Sequence, residues 1–187
     1  MARKKQYNED EVLEKALTLF WSNGYEGTST RMLEKEMGIN QFSIYSSFGS
    51  KEGVYNECLN LYKQKIKIIT NKLENSTKPV EAIKEYFYDF IEFSQIEDSA
   101  KGCFVTNTAT EFGIENDSKI SKGAMKFTEY IRELFLNNLK LDKEKEITKL
   151  EEQADYLLIS ISSLSVASKL FPKRLLDTYI ENTFLNI

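Results

Sequence analysis

The chain has 187 residues, a formal net charge of -4 with no histidine, two cysteines, and 29% charged against 41% hydrophobic residues. That is one or two domains with a real core, since a chain of this length buries roughly 70% of its unfolded surface. The lack of histidine removes the commonest general base and metal ligand, the net acidity excludes a globally basic nucleic-acid binder, and no run of 18 apolar residues offers a membrane span.

Charge is unevenly placed. Up to Lys51, seven basic side chains (Arg3, Lys4, Lys5, Lys15, Arg31, Lys35, Lys51) balance seven acidic ones, so the whole negative surplus lies C-terminal to them. The start, MARKKQYNEDE, lacks the apolar region of a secretory signal. Cys58 and Cys103 are far apart in sequence and read as reduced thiols of a cytosolic protein. There is no Gly-rich phosphate loop and no metal-spaced cluster, so an enzyme is disfavoured and neither cofactor nor metal is expected.

Met1 to Tyr7 is a short basic arm, able either to reach a phosphate backbone or to fray as a terminus. Asn8 caps a first helix with Glu11 at the capping-box position. Val12, Leu13, Ala16, Leu17, Phe20 and Trp21 form its apolar stripe, and Gly24 ends it. Next comes GYEGTSTRMLEKEMGINQFSIYSSFGSKE, from Gly24 to Glu52. Thr28 or Ser29 caps a short helix carrying Leu33 and Met37 on one face. Gly38 makes a left-handed turn. Asn40 caps a second short helix whose inward face is Ile44, Tyr45 and Phe48. Gly49 ends it, and Ser50 caps the next. Helix, tight turn, helix is the layout of a helix-turn-helix.

From Ser50 a long helix runs to about Asn75, with Val54, Cys58, Leu61, Ile68 and Ile69 as its buried stripe and Lys63, Lys65, Lys67 and Lys72 outward. Asn75 to Pro79 is a break. Further helices follow over 79–97, over Cys103 to Phe112, and from Lys119 to Leu139 after a turn capped by Asp117 or Ser118. The last two run from Ile147 to Leu170 and from Pro172 to about Leu185, and 95–102 is a polar loop. No period-2 strand pattern and no internal repeat is present. The expected fold class is all-α: a three-helix head at 1–50, a connecting helix at 50–75, and a helical C-terminal domain at 76–187.

Gly24-Tyr25, Thr28-Ser29, Leu33, Gly38-Ile39-Asn40, Ile44-Tyr45, Phe48 and Ser50-Lys51-Glu52 together resemble the pattern of the TetR family of bacterial transcriptional regulators. The match spans about a quarter of the chain. Glu34, Met37, Phe42 and Ser47 stand where the family usually has Ala, Ala, Gly and His. Phe48-Gly49-Ser50-Lys51-Glu52, with Lys101-Gly102-Cys103-Phe104 and Asn107, resembles one subgroup. The resemblance implies a cytoplasmic bacterial repressor that binds a palindromic operator as a homodimer and is released by a small, apolar or aromatic effector. A family member that marks the chromosome is the alternative.

In such a head the first half of the second short helix reads bases. Gln41 and Ser43 point outward from its first turn, and Gln pairs bidentately with adenine, a contact of about 1–3 kcal/mol. Phe42 either contacts a thymine methyl or packs on the preceding helix. Thr28, Ser29, Arg31, Tyr45, Ser46, Ser47 and Lys51 are expected at phosphates, which sets register rather than sequence. Lys51 sits beside a helix N-terminus, itself favourable to anions.

For the effector, Tyr62, Phe87, Phe90, Phe104, Phe127 and Tyr130 supply aromatic surface, as either pocket wall or core. Asn107, with Thr106 or Thr108, supplies polar groups to orient a ligand. Cys103 is either a thiol sensor or a small buried hydrophobe. The resemblance places dimerisation on the last two helices, where Leu157, Ile161, Leu164, Ser168, Leu176, Tyr179 and Ile180 are the expected contacts, forming a four-helix bundle about a two-fold axis.

Overall fold

A computed structural model describes residues 7–96, 99–113, 118–185 and 187. Helix dominates them, in keeping with their stripes and caps: α1 (Glu9–Asn23), α2 (Thr30–Met37), α3 (Gln41–Phe48), α4 (Lys51–Glu74), α5 (Pro79–Phe93), α6 (Phe104–Phe112), α7 (Lys119–Leu139), α8 (Ile147–Ala167) and α9 (Lys173–Thr183). The fold is all-α. Among the described residues the one departure is a two-residue antiparallel ladder inside the expected polar loop, β1 (Gln95–Ile96) and β2 (Ser99–Ala100), with Gln95 opposite Ala100. No helix among the described residues is long and apolar enough to cross a membrane. The basic arm up to Gln6 and the Asp117 cap lie outside the described residues; at the start of α7 the Ser118 hydroxyl accepts from the Ser121 N–H at 3.1 Å.

Contacts divide the chain into two compact units, Met1–Gln64 with Asn107–Ala124, and Lys65–Thr106 with Met125–Ile187. The division falls within α4, α6 and α7.

In the first unit α1 buries Val12, Ala16, Leu17, Phe20 and Trp21, while Leu13 is only half-buried. Asn8 caps it by accepting from the Asp10 N–H at 3.0 Å, and its own amide donates to Glu11. Phe20, Tyr25, Tyr55 and Phe112 form an aromatic cluster, with Phe20 edge-on to Tyr55 at 4.8 Å and Tyr25 5.1 Å from Phe112. Such ring pairs add about 0.5–1.5 kcal/mol beyond area burial. The Tyr55 hydroxyl meets the buried Thr108 hydroxyl at 2.9 Å, and burial pushes its phenol pKa up, so it stays a neutral hydrogen-bonding group. Glu111, on the last turn of α6, closes the assembly. Its two carboxylate oxygens accept from the adjacent backbone N–H groups of Tyr25 and Glu26 at 2.8 and 2.7 Å, pinning the turn between α1 and α2.

The buried stripe of α4 is Val54, Tyr55, Cys58, Leu59, Tyr62, Ile66, Ile69 and Leu73. This corrects the expected stripe. Leu61 is half-buried and Ile68 is 67% exposed, because each lies one residue, or about 100° around the helix, from the Tyr62 and Ile69 positions that continue the 3.6-residue face.

In the second unit α5 buries Ala82, Ile83, Tyr86, Phe87, Phe90 and Ile91, and Phe135 of α7 takes the edge of Tyr86 at 5.6 Å. The buried Asn138 amide donates to the Leu73 and Leu134 carbonyls at 3.1 and 3.0 Å, tying α7 to the end of α4. Gly102 has φ 68°, and a Cβ there would stand 2.6 Å from the Ser165 carbonyl oxygen of α8. Next to it the Cys103 N–H donates to the Ser165 hydroxyl at 2.7 Å. Only glycine allows this close approach of α6 to α8.

Two outcomes follow from these packings. Gly102→Ala forces a left-handed alanine against a carbonyl and should cost roughly 2–3 kcal/mol, read as a lower urea midpoint at unchanged slope. Glu111→Ala removes the acceptor of two N–H groups, and exchange of the Tyr25 and Glu26 amides should quicken about tenfold, with amides in the middle of α8 unchanged.

Candidate nucleic-acid interface and interior cavity

Two eight-residue helices present the candidate reading surface, and each end is chemically fixed. Ser29 caps α2 by accepting from the Met32 N–H at 3.2 Å, and Gly38 ends it in the left-handed region at φ 70°, ψ 21°. Asn40 caps α3 by accepting from the Ser43 N–H at 2.8 Å, and Ser50 caps α4 through the Gly53 N–H at 3.0 Å. The Glu34 carboxylate accepts the backbone N–H of Gln41, joining α2 to the first residue of α3. Sequence reading registered Glu34 only as a departure from Ala; a carboxylate seven residues ahead of a helix start is the signal that could have marked it. Leu33, Met37 and Ile44 are the buried pegs. Of the expected inward face of α3 only Ile44 is fully buried; Tyr45 and Phe48 are half-buried.

The expected contact residues divide. Ser29, Arg31, Gln41, Phe42 and Ser46 are exposed, and Phe42 most of all at 82%. An aromatic ring so open to water does not pack on α2, so the packing reading of that residue falls. Ser43, Tyr45, Ser47 and Lys51 are half-buried. The Tyr45 hydroxyl meets the Thr30 hydroxyl at 3.2 Å, and the Thr30 and Gln41 side chains lower its pKa. The Lys51 ammonium sits 4.2 Å over the Tyr25 ring at the start of α4. Tyr7 is an addition to the expected set: its hydroxyl reaches the Ser47 hydroxyl at 2.7 Å and donates to the Ser43 carbonyl at 3.3 Å, holding the chain before α1 against α3. Thr28 is a correction. It is fully buried and its hydroxyl donates to the Gly24 carbonyl at 2.7 Å, so it shapes the turn and offers nothing to a phosphate.

In the second unit a cavity of about 30 Å³ is walled by Ile66, Phe90, Val105, Phe127, Ile131 and Ile161, among others. Its polar wall is Tyr86, Cys103, Thr106, Thr128 and Ser162, with no Asp, Glu, Lys or Arg. Of the expected effector residues Phe90 and Phe127 line it. The others are corrected. Tyr62 is buried edge-on to Trp21 in the first unit, and Asn107 also belongs to that unit. Phe87 stacks edge-on with Phe184, Phe104 is buried away from the cavity wall, and the Tyr130 hydroxyl donates to Glu74 at 2.7 Å. Aromatic rings spaced around a helix serve core on one face and cavity on another, and periodicity alone does not divide them.

The expected dimer contacts need the same correction. Leu157, Ile161, Leu164, Ser168, Leu176 and Ile180 are buried within the protomer; of the set only Tyr179 reaches the surface. The outer apolar surface of these elements is instead Tyr156, Ile159 and Val166 on α8, Leu170 and Phe171 in the turn, and Leu175 with Tyr179 on α9.

Comparison with known proteins agrees with this architecture. Residues 12–58 match the family of bacterial regulatory proteins, tetR family. An uncharacterised HTH-type transcriptional regulator of Bacillus subtilis (strain 168), YezE, is 27% identical over 175 residues, covering 90% of each chain. The HTH-type transcriptional repressor ComR of Escherichia coli (strain K12) is 33% identical over 110 residues, 58% of this chain and 52% of that one. Among solved structures, a cysteine mutant of the TetR-family transcriptional regulator CifR complexed with 26bp double-strand operator DNA superposes with a TM-score of 0.86 at 25% identity, covering 97% of this chain and 98% of that chain. A TetR regulator from Legionella pneumophila shares the fold with a TM-score of 0.83 at 18% identity over 99% of this chain and all of the other. Residues 12–58 therefore form a TetR-family helix-turn-helix head, and the whole chain has the fold of the TetR-family transcriptional regulators it resembles, a family of DNA-binding proteins and not of enzymes.

Proposed function

We propose that this protein is a cytoplasmic bacterial repressor that binds a palindromic operator as a homodimer and leaves it when a small effector enters the second unit. The head at 1–50 reads DNA, α4 connects, and the remainder of the chain binds effector and partner. The observation that carries the reading is the outer face of the head: α2 and α3 bury only Leu33, Met37 and Ile44 and leave Ser29, Arg31, Gln41, Phe42 and Ser46 to solvent.

On this reading Gln41 pairs with an adenine edge and Phe42 lies against a thymine methyl, both in the major groove. Ser29, Arg31, Tyr45, Ser46 and Lys51 hold phosphates, with the start of α4 adding its unpaired N–H groups. Ser43 and Ser47, tied to Tyr7, keep α3 in register and offer their hydroxyls to the backbone.

Dimerisation uses the outer apolar face of α8 and α9. On α8, Tyr156, Ile159, Ser163 and Val166 follow one another at steps of three and four, the seam of a helix pair about a two-fold axis. Two heads then meet half-sites one helical turn apart. An effector in the cavity favours a protomer conformation whose heads no longer match that spacing, and helices common to both units carry the change. The relatives support this reading: ComR is named a repressor, and the CifR structure holds operator DNA.

Genomic fragments selected with the purified protein should contain an inverted repeat in a promoter, with affinity falling steeply as salt rises; fragments without a common motif would overturn the operator reading. Gln41→Ala should cost about tenfold or more in affinity for the selected operator and relax preference at one adenine in each half-site. Ile159→Glu should yield a folded monomer by light scattering that has lost most operator affinity. A variant that stays dimeric would place the interface elsewhere.

A further inference from the structure

The cavity of the second unit has a chemistry narrower than its apolar walls suggest. None of its lining residues carries charge. An ion entering it would leave water with no counter-ion to meet, a cost of several kcal/mol. Its volume of about 30 Å³ lies between an opening that holds one water, about 10–15 Å³, and the cavity of about 150 Å³ that takes benzene. A body of a few non-hydrogen atoms is therefore what enters without repacking.

One wall group stands apart. Tyr86 is 3% exposed and lines the cavity, yet its hydroxyl makes no hydrogen bond with any described residue. Other tyrosines of the chain show the usual pattern, Tyr55 paired with Thr108 and Tyr130 with Glu74. The Tyr86 oxygen is not among the fully sealed partnerless polar atoms of the described residues, so it keeps surface toward the cavity and can take a ligand oxygen where buried hydroxyls are ordinarily partnered within the protein. Burial also pushes the Tyr86 phenol well up from its usual pKa, so it remains protonated and can both donate and accept. Its ring is held from the side by Phe135 at 5.6 Å, which fixes the direction of the hydroxyl.

We propose that the cavity selects small, uncharged, chiefly apolar molecules bearing one oxygen, such as a short ketone, aldehyde or alcohol, and that Tyr86 is the specificity-determining residue, hydrogen-bonding that oxygen. The walls take the hydrocarbon part, and Tyr86 orients the polar end. The proposal rests on the reading of this cavity as the effector site.

The test uses three probes of matched shape and four non-hydrogen atoms each: acetone, isobutene and acetate. Titrations of the full-length protein are followed by methyl NMR of Ile66, Ile131 and Ile161. Acetone should bind in the millimolar range, isobutene several-fold more weakly, and acetate not at all. Tyr86→Phe should weaken acetone about three- to tenfold and leave isobutene within about twofold. Acetate binding as tightly as acetone, isobutene equalling acetone in the unaltered protein, no cavity shift with any probe, or a Tyr86→Phe loss shared by both neutral probes would each overturn the proposal. The unaltered protein alone tests the charge and oxygen preferences, so a poorly folded variant does not remove the test. Operator affinity measured with and without acetone is separate. Tyr86-dependent binding that leaves operator affinity unchanged would uphold the ligand class and count against the effector role of the site.

Discussion

Two helices of eight residues cannot hold themselves together in water. Nucleating a helix fixes several dihedrals for one hydrogen bond, and isolated helices shorter than about 12–15 residues are marginal even with the best sequences. Much of the head can be derived from this constraint. The termini of α2 and α3 are closed by Ser29, Gly38 and Asn40, so that orphan N–H and C=O groups are met locally. Leu33, Met37 and Ile44 drive their apolar volume into the interior. Glu34 takes the N–H of Gln41, so the second helix starts where the first one places it. The turn before α2 is pinned from outside by the Glu111 carboxylate. With little interior of its own, the pair leaves most of its side chains to solvent, and that surplus of exposed polar groups on a rigid frame is what a reading surface requires.

Features local in sequence were legible in it. Caps and left-handed glycines act within three or four residues, and Asn8, Ser29, Asn40 and Ser50 each engage an N–H within that range. Strong periodicity fixed α7 from Lys119 to Leu139, with Ile120, Ala124, Phe127, Ile131, Leu134 and Phe135 all buried. What was not legible depends on distant partners. The Glu111 clamp spans 86 residues, and nothing around Glu111 announces the turn it grips. Gly102 reads as an ordinary loop glycine until α8 is laid against it. Thr28 and Ser29 are equivalent cap residues by type, and only the fold shows that one is sealed while the other caps. The candidate cavity was legible in kind, as aromatic residues on these helices, but not in membership, because Phe87 and Phe90 differ only in which neighbour each one faces.

α8 shows why helix faces are harder to assign in the second unit. Leu157, Ile161 and Leu164 are buried, while Tyr156, Ile159 and Val166 are exposed. Leu158, Ile161 and Ser162 line the cavity. A helix at a globular surface normally carries one apolar stripe and a polar remainder. Here apolar residues run most of the way round, so the sequence pattern alone gives no inside and no outside. Two apolar demands act on it within the protomer, the core and the cavity wall, and a third face is left in water. Exposed apolar area of this kind, continued by Leu170, Phe171 and Leu175, is expensive for a protein that stays alone. The proposed self-association supplies the cover. The expected dimer residues failed for the same reason: the most apolar face was assigned to the partner, whereas the protomer claims it first.

The positions where the head departs from its family pattern have a common physical logic. Glu34 replaces a small residue with an acceptor and joins two short helices. Ser47 supplies a hydroxyl that Tyr7 finds at 2.7 Å, so a residue ahead of α1 braces the last turn of α3. Both changes add hydrogen bonds that stiffen α3 without adding core. Phe42 goes the other way. It places a large ring in water at the second residue of α3, where it neither packs nor pairs within the protomer. A stiff helix can hold an exposed ring at a defined angle at little entropic cost, whereas a loosely held one would let it fold back onto α2. The bracing by Glu34 and Tyr7 and the exposure of Phe42 are therefore best understood together, as one arrangement that keeps an apolar contact outward and aimed.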